Sequence, residues 1–418
     1  MKKTLVIVGA SHAGTQLAAS AREFGFDGNI VLLGDEPDEP YHRPPLSKGF
    51  LAGTDVEDRL PLRSRAFFKE EKIEWMPRSR ATYIDRSRQE VELDSGTRIA
   101  YDHVALTTGA RVRKLDCLGA THEAVHYLRD LGDARRLARS AKTARRALVI
   151  GGGYIGLEVA ATLRQQGLEV IVVEAESRPL ARVASPWLSE YIQREHTDRG
   201  VAFELGRKVV AMLPDPDRVA VELDDGRRLP ADLVVVGIGV TPNTELASDS
   251  GLVVRGGIAV DAFTRTSDPL IFAAGDCASF LPHCGSMNAA GRIESVQNAN
   301  DMAKTAASAI VGRLVPYRAL PWFWSDQYNI KLQMVGVNTG FTEFVVRGSV
   351  EDHKFSVFYF REEKLIAVDS INRPQDHMLA RKLLAAGAHP TPAHVGEPAF
   401  DLKSLVAPVA GHSALGDA

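Results

Sequence analysis

Gly151, Gly153 and Gly156 stand in the order G-x-G-x-x-G. The chemistry such a turn performs is phosphate binding. The first glycine permits the tight turn, the second lets the backbone approach a pyrophosphate, and the third lets helix and strand pack closely. Glu174 ends the apolar run that follows; a carboxylate there reads the ribose hydroxyls of an adenine nucleotide. A second copy near the N-terminus reads Gly9-x-Ser11-x-x-Gly14, with serine at the close-approach position, and Asp35 as the acid beyond it. Serine is small enough for a pyrophosphate to fit. Asp35 also has a plainer reading, as a solvated turn acid after Gly34. The chain has three cysteines, Cys117, Cys277 and Cys284, with no CxxC or CxxxxC pair and no zinc-like Cys/His spacing. Each is expected to be a buried or incidental thiol.

The elements that must position these turns occur twice. TLVIVGASHAG (4–14) and ALVIGGGYIG (147–156) each place a short aliphatic run ahead of the turn. An Ala-rich helical segment follows each, and then a second aliphatic run, NIVLLGDE (29–36) or EVIVVEAE (169–176). Continuous aliphatic runs flanked by helices predict parallel strands buried on both faces. Segments 88–110 and 219–243 add the same appendage behind each unit: strands around an Asp-Ser-Gly or Asp-Asp-Gly turn, then another buried strand. IFAAGDCA (271–278) is a further buried strand. The fold class expected is α/β, with two Rossmann-type dinucleotide-binding domains. After Pro321 aromatics cluster and strands alternate, which predicts a smaller α+β domain. From about His389 the Pro, Ala and Gly content predicts a loosely packed tail.

The 418 residues exceed one ordinary core, and apolar and charged fractions of 45% and 25% are those of a globular protein. A net charge of −3 gives no global attraction to nucleic acid or to an anionic membrane. Met1, Lys2 and Lys3 ahead of an apolar run resemble a leader, but Gly9, Ser11, His12 and Gly14 interrupt it, so a buried first strand is expected. No segment approaches a membrane span. Cysteine usage fits a cytoplasmic setting.

YHRPPLSKGFL (41–51), ALTTGA (105–110), GGGYIGLEVAA (151–161), GIGVTPN (237–243), DPLIFAAGDCA (268–278), RIESVQNA (292–299) and PWFWSDQYNIKLQMVG (321–336) together resemble the NADH-dependent ferredoxin reductases that serve oxygenases. RPPLSK and PWFWSDQY are the distinctive segments. The resemblance implies a glutathione-reductase-like fold: a discontinuous FAD domain over 1–112 and 246–320, an NAD domain over 113–245, and an interface domain over 321–418. Disulfide reductases and cysteine peroxidases of this fold carry their reactive cysteine in the region that 41–48 fills here, and this chain has none there. It therefore lacks the nucleophile of a thiol relay.

By the same resemblance, non-covalent FAD is held by Gly9, Ala13, Gly14, Asp35, Arg43, Lys48, Ala81, Gly109, Arg129, Asp276 and Val296, and NADH by Gly151, Gly153, Gly156, Glu158 and Glu174. Asp276 would bind the ribityl chain. Val296 would start a helix aimed at the pyrimidine end of the flavin, where reduction builds negative charge. Lys48 would sit near the hydride-accepting nitrogen, Glu158 would bond the nicotinamide carboxamide or Lys48, and Trp324 would lie close to both rings, with Trp322 packed as core. Their plain alternatives are a solvated lysine for Lys48, a helix-stabilising acid for Glu158, surface charge for Arg129 and a strand-end cap for Asp276.

The implied activity is hydride transfer from NADH to FAD, then single-electron delivery to a [2Fe-2S] ferredoxin serving a cytochrome monooxygenase or a ring-hydroxylating dioxygenase. A rubredoxin or quinone-type acceptor remains open, as does a redox-sensing interaction flavoprotein resembling apoptosis-inducing factor. An acidic ferredoxin needs a local basic patch on so neutral a chain, for which Arg63, Arg65, Arg292, Arg313 and Lys331 are the candidates, each otherwise a solvated cation.

Overall fold

The structure, a computed structural model, describes residues 2–215, 218–280 and 291–406; Cys284 falls outside them. The chain divides into two units. The first comprises 1–181 and 189–319, and the second comprises 182–188 and 320–418.

Two five-stranded sheets, all parallel, form the first unit. In one, Thr4–Val8 is central, flanked by Asn29–Leu33 and Ile73–Met76 on one side and by His103–Leu106 and Ile271–Ala273 on the other. In the other, Arg146–Ile150 is central, flanked by Glu169–Glu174 and Val201–Leu205 on one side and by Leu233–Val236 and Val125–Tyr127 on the other. Leu5, Val6 and Ile7 are fully buried, and so is Val149. That burial is what the aliphatic runs encode, because a strand covered on both faces has no polar side. Each sheet carries an antiparallel three-stranded meander, Ala81–Asp85, Glu90–Leu93 and Arg98–Ala100 in the first, Val209–Asp215, Arg218–Leu223 and Arg228–Ala231 in the second. The chain passes between the sheets twice, and Ala110–Val112 pairs antiparallel with Val240–Pro242 where it does so.

In each sheet the central strand feeds a turn and then a helix, His12–Glu23 or Tyr154–Gln165. Strand order reverses on either side of that central strand, so each turn sits at a topological switch point, where ligands bind in open α/β sheets.

The second unit is a five-stranded antiparallel sheet in the order Trp322–Gln327, Ile330–Gly336, Lys364–Ile371, Lys354–Arg361, Glu343–Ser349. Helix Pro374–Ala386 covers one face and buries Ala380 and Leu383 against Val335, Phe358, Phe360 and Val368. Among the described residues, 390–406 differ from the expected loose tail, while 407–418 fall outside them. Helix Pro392–Gly396 and the turn Leu402–Leu405 bury Val395 and Leu402 in the same cluster. Arg347 fixes the path by donating to the carbonyl oxygens of His394, Val395, Glu397, Pro398 and Phe400.

Candidate active site

Gly9 has φ +116°, and a Cβ on it would lie 2.2 Å from the Thr107 carbonyl oxygen. A Cβ on Gly14 would lie 1.9 Å from the Gly9 carbonyl oxygen. Both glycines are thus required to seat the helix on the sheet. Ser11 is the N-cap of His12–Glu23 yet makes no side-chain cap hydrogen bond; its Oγ accepts from Arg43 Nε at 3.2 Å. The amides of this first turn therefore keep their capacity for an anion.

Around that turn lies a half-buried cationic cluster. Arg43 pairs with Glu36 and donates to the Arg129 carbonyl at 2.6 Å. Arg129 stands 3.5 Å from Asp276. Burial, and next the charge of Arg43, holds the Arg129 guanidinium below its ordinary pKa. His12 is buried, its Nε2 has no partner, and its pKa is pulled down to about 3, first by burial and then by His42, Arg43 and Arg129. Two arginines crowded beside an uncapped helix start, with an orphaned imidazole nitrogen, fit the pyrophosphate of a dinucleotide.

Of the remaining residues expected around FAD, Gly109 adjoins this cluster. A Cβ on Gly109 (φ +64°) would meet Arg129 Nη2 at 3.3 Å. Gly275, before Asp276, packs against Ala13 and Ala299. Val296 opens helix Val296–Ile310, whose N-cap Ser295 accepts from the Asn298 amide at 3.0 Å. Ala81 begins a meander strand just after Ser79, whose amide bonds the Gly34 carbonyl. Asp35 is exposed past the strand end, while its neighbour Glu36 engages Arg43 and Tyr41. Sequence reading passed over Glu36; the adjacent acids look equivalent until Arg43, seven positions on, selects one.

In the second turn, Cβ atoms on Gly151 and Gly156 would lie 2.5 Å from the Gly237 carbonyl oxygen and 2.0 Å from that of Gly151. Gly153 is different: nothing lies within 4 Å of where its Cβ would be. Its missing side chain leaves an open cradle at an uncapped helix start, as a close-approaching pyrophosphate needs. Glu174 accepts from the amides of Gly152 at 2.6 Å and Glu176 at 2.9 Å. At the matching register of the first sheet Gly34 stands where Glu174 does, and Ala10 where Gly152 does. A Cβ on Gly34 would meet that of Ala10 at 2.9 Å. Only the second turn has room for an acid at the strand end.

Between these turns lies an ion pair. Pro44–Ser47 forms a short 3-10 turn, and Lys48 Nζ then meets Glu158 Oε2 at 2.7 Å. Ser47 Oγ donates to the same oxygen at 2.6 Å, and Lys48 Nζ also reaches the Pro44 carbonyl at 3.2 Å. Glu158 is 1% exposed and Lys48 19%. A buried carboxylate is tolerable when a cation and a hydroxyl satisfy it, and this lysine remains partly exposed.

Trp324 belongs to the second unit, on the sheet face that also carries Trp322, 5.7 Å away between ring centroids. Trp322 packs edge-on to His377 and under Arg381. Three of the expected docking cations have partners within the chain. Arg292 is only 17% exposed and is tied to Glu294 and to the Asp276 carbonyl. Arg65 is paired with Glu39. Arg313 follows the far end of the 15-residue helix that Val296 starts, roughly 22 Å along its axis, and sits over the Phe24 ring. Arg63 and Lys331 are exposed. Cys277 is fully buried and Cys117 half-buried, with burial raising both thiols.

Two switch-point turns, with a Lys–Glu pair that ties the 47–51 segment to the second turn's helix, define an oxidoreductase with two dinucleotide sites. Comparison with known proteins agrees. Residues 3–303 match the pyridine nucleotide-disulphide oxidoreductase family and 322–406 the reductase C-terminal family. The chain is 46% identical to rhodocoxin reductase of Rhodococcus erythropolis, over 97% of this chain and 94% of that one. A crystal structure of the ferredoxin reductase for the CYP199A2 system from Rhodopseudomonas palustris superposes with a TM-score of 0.94 at 44% identity, covering 97% of this chain and 100% of that one. A covalent putidaredoxin reductase–putidaredoxin complex superposes at 0.93 with 40% identity, covering 97% and 98%. The chain belongs to the pyridine nucleotide-disulphide oxidoreductase family, in its ferredoxin-reductase branch with the glutathione-reductase-like fold.

Proposed function

We propose that this protein is an FAD-dependent NADH:ferredoxin oxidoreductase acting on a [2Fe-2S] ferredoxin of an oxygenase system. The observation that carries the reading is the Lys48–Glu158 pair, which joins the segment after the first turn to the helix of the second where related folds place a reactive cysteine. When bound, FAD supplies the chemistry, accepting a hydride from the pyridine nucleotide and releasing electrons singly. The chain binds, orients and tunes. The first turn, Arg43 and Arg129 hold the flavin nucleotide's diphosphate, and Asp276 and the start of helix Val296–Ile310 hold its ribityl and pyrimidine portions. Lys48 would supply positive charge for the hydride-accepting end of the flavin, and Glu158 holds that ammonium in place. Glu174 would bind the adenosine ribose of NADH, and Trp324 is the aromatic proposed for the hydride step. The division into an FAD domain (1–112 and 246–320), an NAD domain (113–245) and an interface domain (321–418) is part of the proposal. So is a cytoplasmic setting, supported by unpaired Cys117 and Cys277 and, among the described residues, by the lack of a helix long and apolar enough to cross a membrane.

The test is spectroscopic. Purified protein should carry one releasable FAD per chain, bleach with NADH, and reduce a [2Fe-2S] ferredoxin faster than rubredoxin or a quinone. Lys48→Ala should keep its FAD but lose roughly tenfold or more in flavin reduction rate, a preorganised charge beside the reacting atom being worth about 1.4 kcal/mol or more. A colourless protein that takes up no FAD, or turnover confined to rubredoxin or quinone, would refute the assignment.

A further inference from the structure

Helix Tyr154–Gln165 does more than present its N-terminus to a pyridine nucleotide. Glu158, Thr162 and Gln166 are spaced by four and so lie along one face, and each meets the segment around Lys48. Glu158 accepts from Ser47 Oγ and Lys48 Nζ. Thr162 Oγ1 donates to the Ser47 carbonyl at 3.0 Å, and Gln166 Nε2 donates to the Leu51 carbonyl at 2.8 Å. A helical threonine ordinarily turns its hydroxyl back on its own helix; Thr162 is buried and spends its hydroxyl on a chain 115 positions away.

The acceptors need these donors. Gly49–Ala52 is a four-residue helix, too short to be stable by itself; the amides of Gly53, Thr54 and Asp55 take its Gly49 and Phe50 carbonyls, and the Leu51 carbonyl is left to Gln166. Leu51 is buried not in the first sheet's core but with Val159, Ala160 and Leu163 of the second turn's helix. The stretch from Ser47 to Leu51 is thus fastened by apolar contact and hydrogen bonds to the helix that begins at Gly153.

We propose that Thr162 and Gln166 are positioning residues for Lys48. They hold the 47–51 backbone at a fixed height along the helix, so that Lys48 Nζ meets Glu158 and is presented to the reaction, and a shift of the helix start on binding pyridine nucleotide is passed to Lys48. This rests on the assignment of Lys48 to the hydride step.

The test uses the full-length holoprotein with Thr162→Val, which keeps the volume and deletes the donor, Gln166→Ala, the double variant, and Thr162→Ser. Hydrogen–deuterium exchange without added nucleotide should show the amides of 49–55 opening roughly tenfold more often in the double variant, one or two hydrogen bonds being lost. Stopped-flow mixing with NADH should show a limiting flavin-reduction rate down roughly tenfold with the Kd for NADH within about twofold. FAD content should stay at wild type, and Thr162→Ser should restore both readouts. If Thr162→Val does not fold, Gln166→Ala carries the test, since Gln166 is exposed. Faster exchange with a wild-type reduction rate would make the ladder merely structural, and unchanged exchange would show that it does not hold the segment; either overturns the inference alone. A wild-type flavin that NADH cannot reduce would overturn the functional assignment as well.

Discussion

Glu174 and Asp369 are carboxylates in different surroundings. Glu174 has both oxygens on backbone amides, which fix the side chain at the strand end near the open cradle of Gly153. A 2′-phosphate near 4 Å would be opposed by up to ~4 kcal/mol at intermediate dielectric before screening. NADH should therefore exceed NADPH in kcat/KM by roughly 10²-fold or more, and Glu174→Ala should narrow the gap. Equal values in the wild type would contradict the assignment. Asp369 lies in the second unit, fully buried, with Oδ2 unpartnered. Burial pushes its pKa up to about 7, against the Tyr359 hydroxyl that lowers it. A raised carboxyl binds its proton more tightly in the folded chain. Its stabilising contribution is complete below the unfolded value near 4 and is lost as pH climbs towards 7. Asp369→Asn should accordingly gain on the wild type by about 1.4 kcal/mol per pH unit between pH 5 and 6.5 in urea unfolding. A difference that stays constant with pH would show that Asp369 does not titrate in this way.

At the scale of elements, what the sequence made legible was what depends on neighbours in the chain. Continuous aliphatic runs marked the buried central strands, because covering both faces leaves no polar position after Thr4 in Thr4–Val8 or after Arg146 in Arg146–Ile150. The glycine spacing marked the turns, because Gly14 and Gly156 must pack against carbonyls five positions earlier. Contacts set by distant partners were not legible. Nothing near Thr162 announces that it bonds Ser47, nor does anything near Asp35 announce that Glu36 takes Arg43. The order of the described C-terminal stretch, 390–406, was not legible for the same reason. Its Pro, Ala and Gly content suggested loose chain, but its carbonyls are collected by Arg347, about fifty positions upstream, and His394 stacks on Phe400 at 4.3 Å. Arg347→Ala would leave those carbonyls unpaired at a cost of roughly 2 kcal/mol. Trypsin should then cut at Lys403 at least about tenfold faster, tenfold being 1.4 kcal/mol of local opening, while FAD content is unchanged. Cleavage at the wild-type rate would place the hold on Val395 and Leu402 instead.

At the scale of the whole molecule, a net charge of −3 gives an acidic ferredoxin no overall attraction, so association must be guided by a local field. The structure narrows where that field can arise. Arg65 and Arg292 are paired with carboxylates, and Arg313 stands at the wrong end of its helix. In the first unit this leaves Arg63, exposed and close enough to depress the His42 pKa, though less than burial does. His42 precedes Arg43 in the segment that carries Lys48, and Tyr41 bridges Pro61 two residues before Arg63. The Arg63 charge therefore lies beside the segment that leads to the ion pair. Charge contacts of this kind act mainly on association, over a Debye length of about 10 Å at 0.1 M salt. Arg63→Glu should lower kcat/KM for ferredoxin roughly tenfold at low ionic strength, with the deficit closing as salt approaches about 0.5 M. Reduction of a small neutral dye should not change, since the dye has no charge to steer. Arg313→Glu serves as the control and should stay within about twofold of the wild type at every salt concentration. If the two reversals weaken ferredoxin reduction equally, only total charge matters; if neither does, the partner is guided from elsewhere, with exposed Lys331 of the second unit the next cation to reverse.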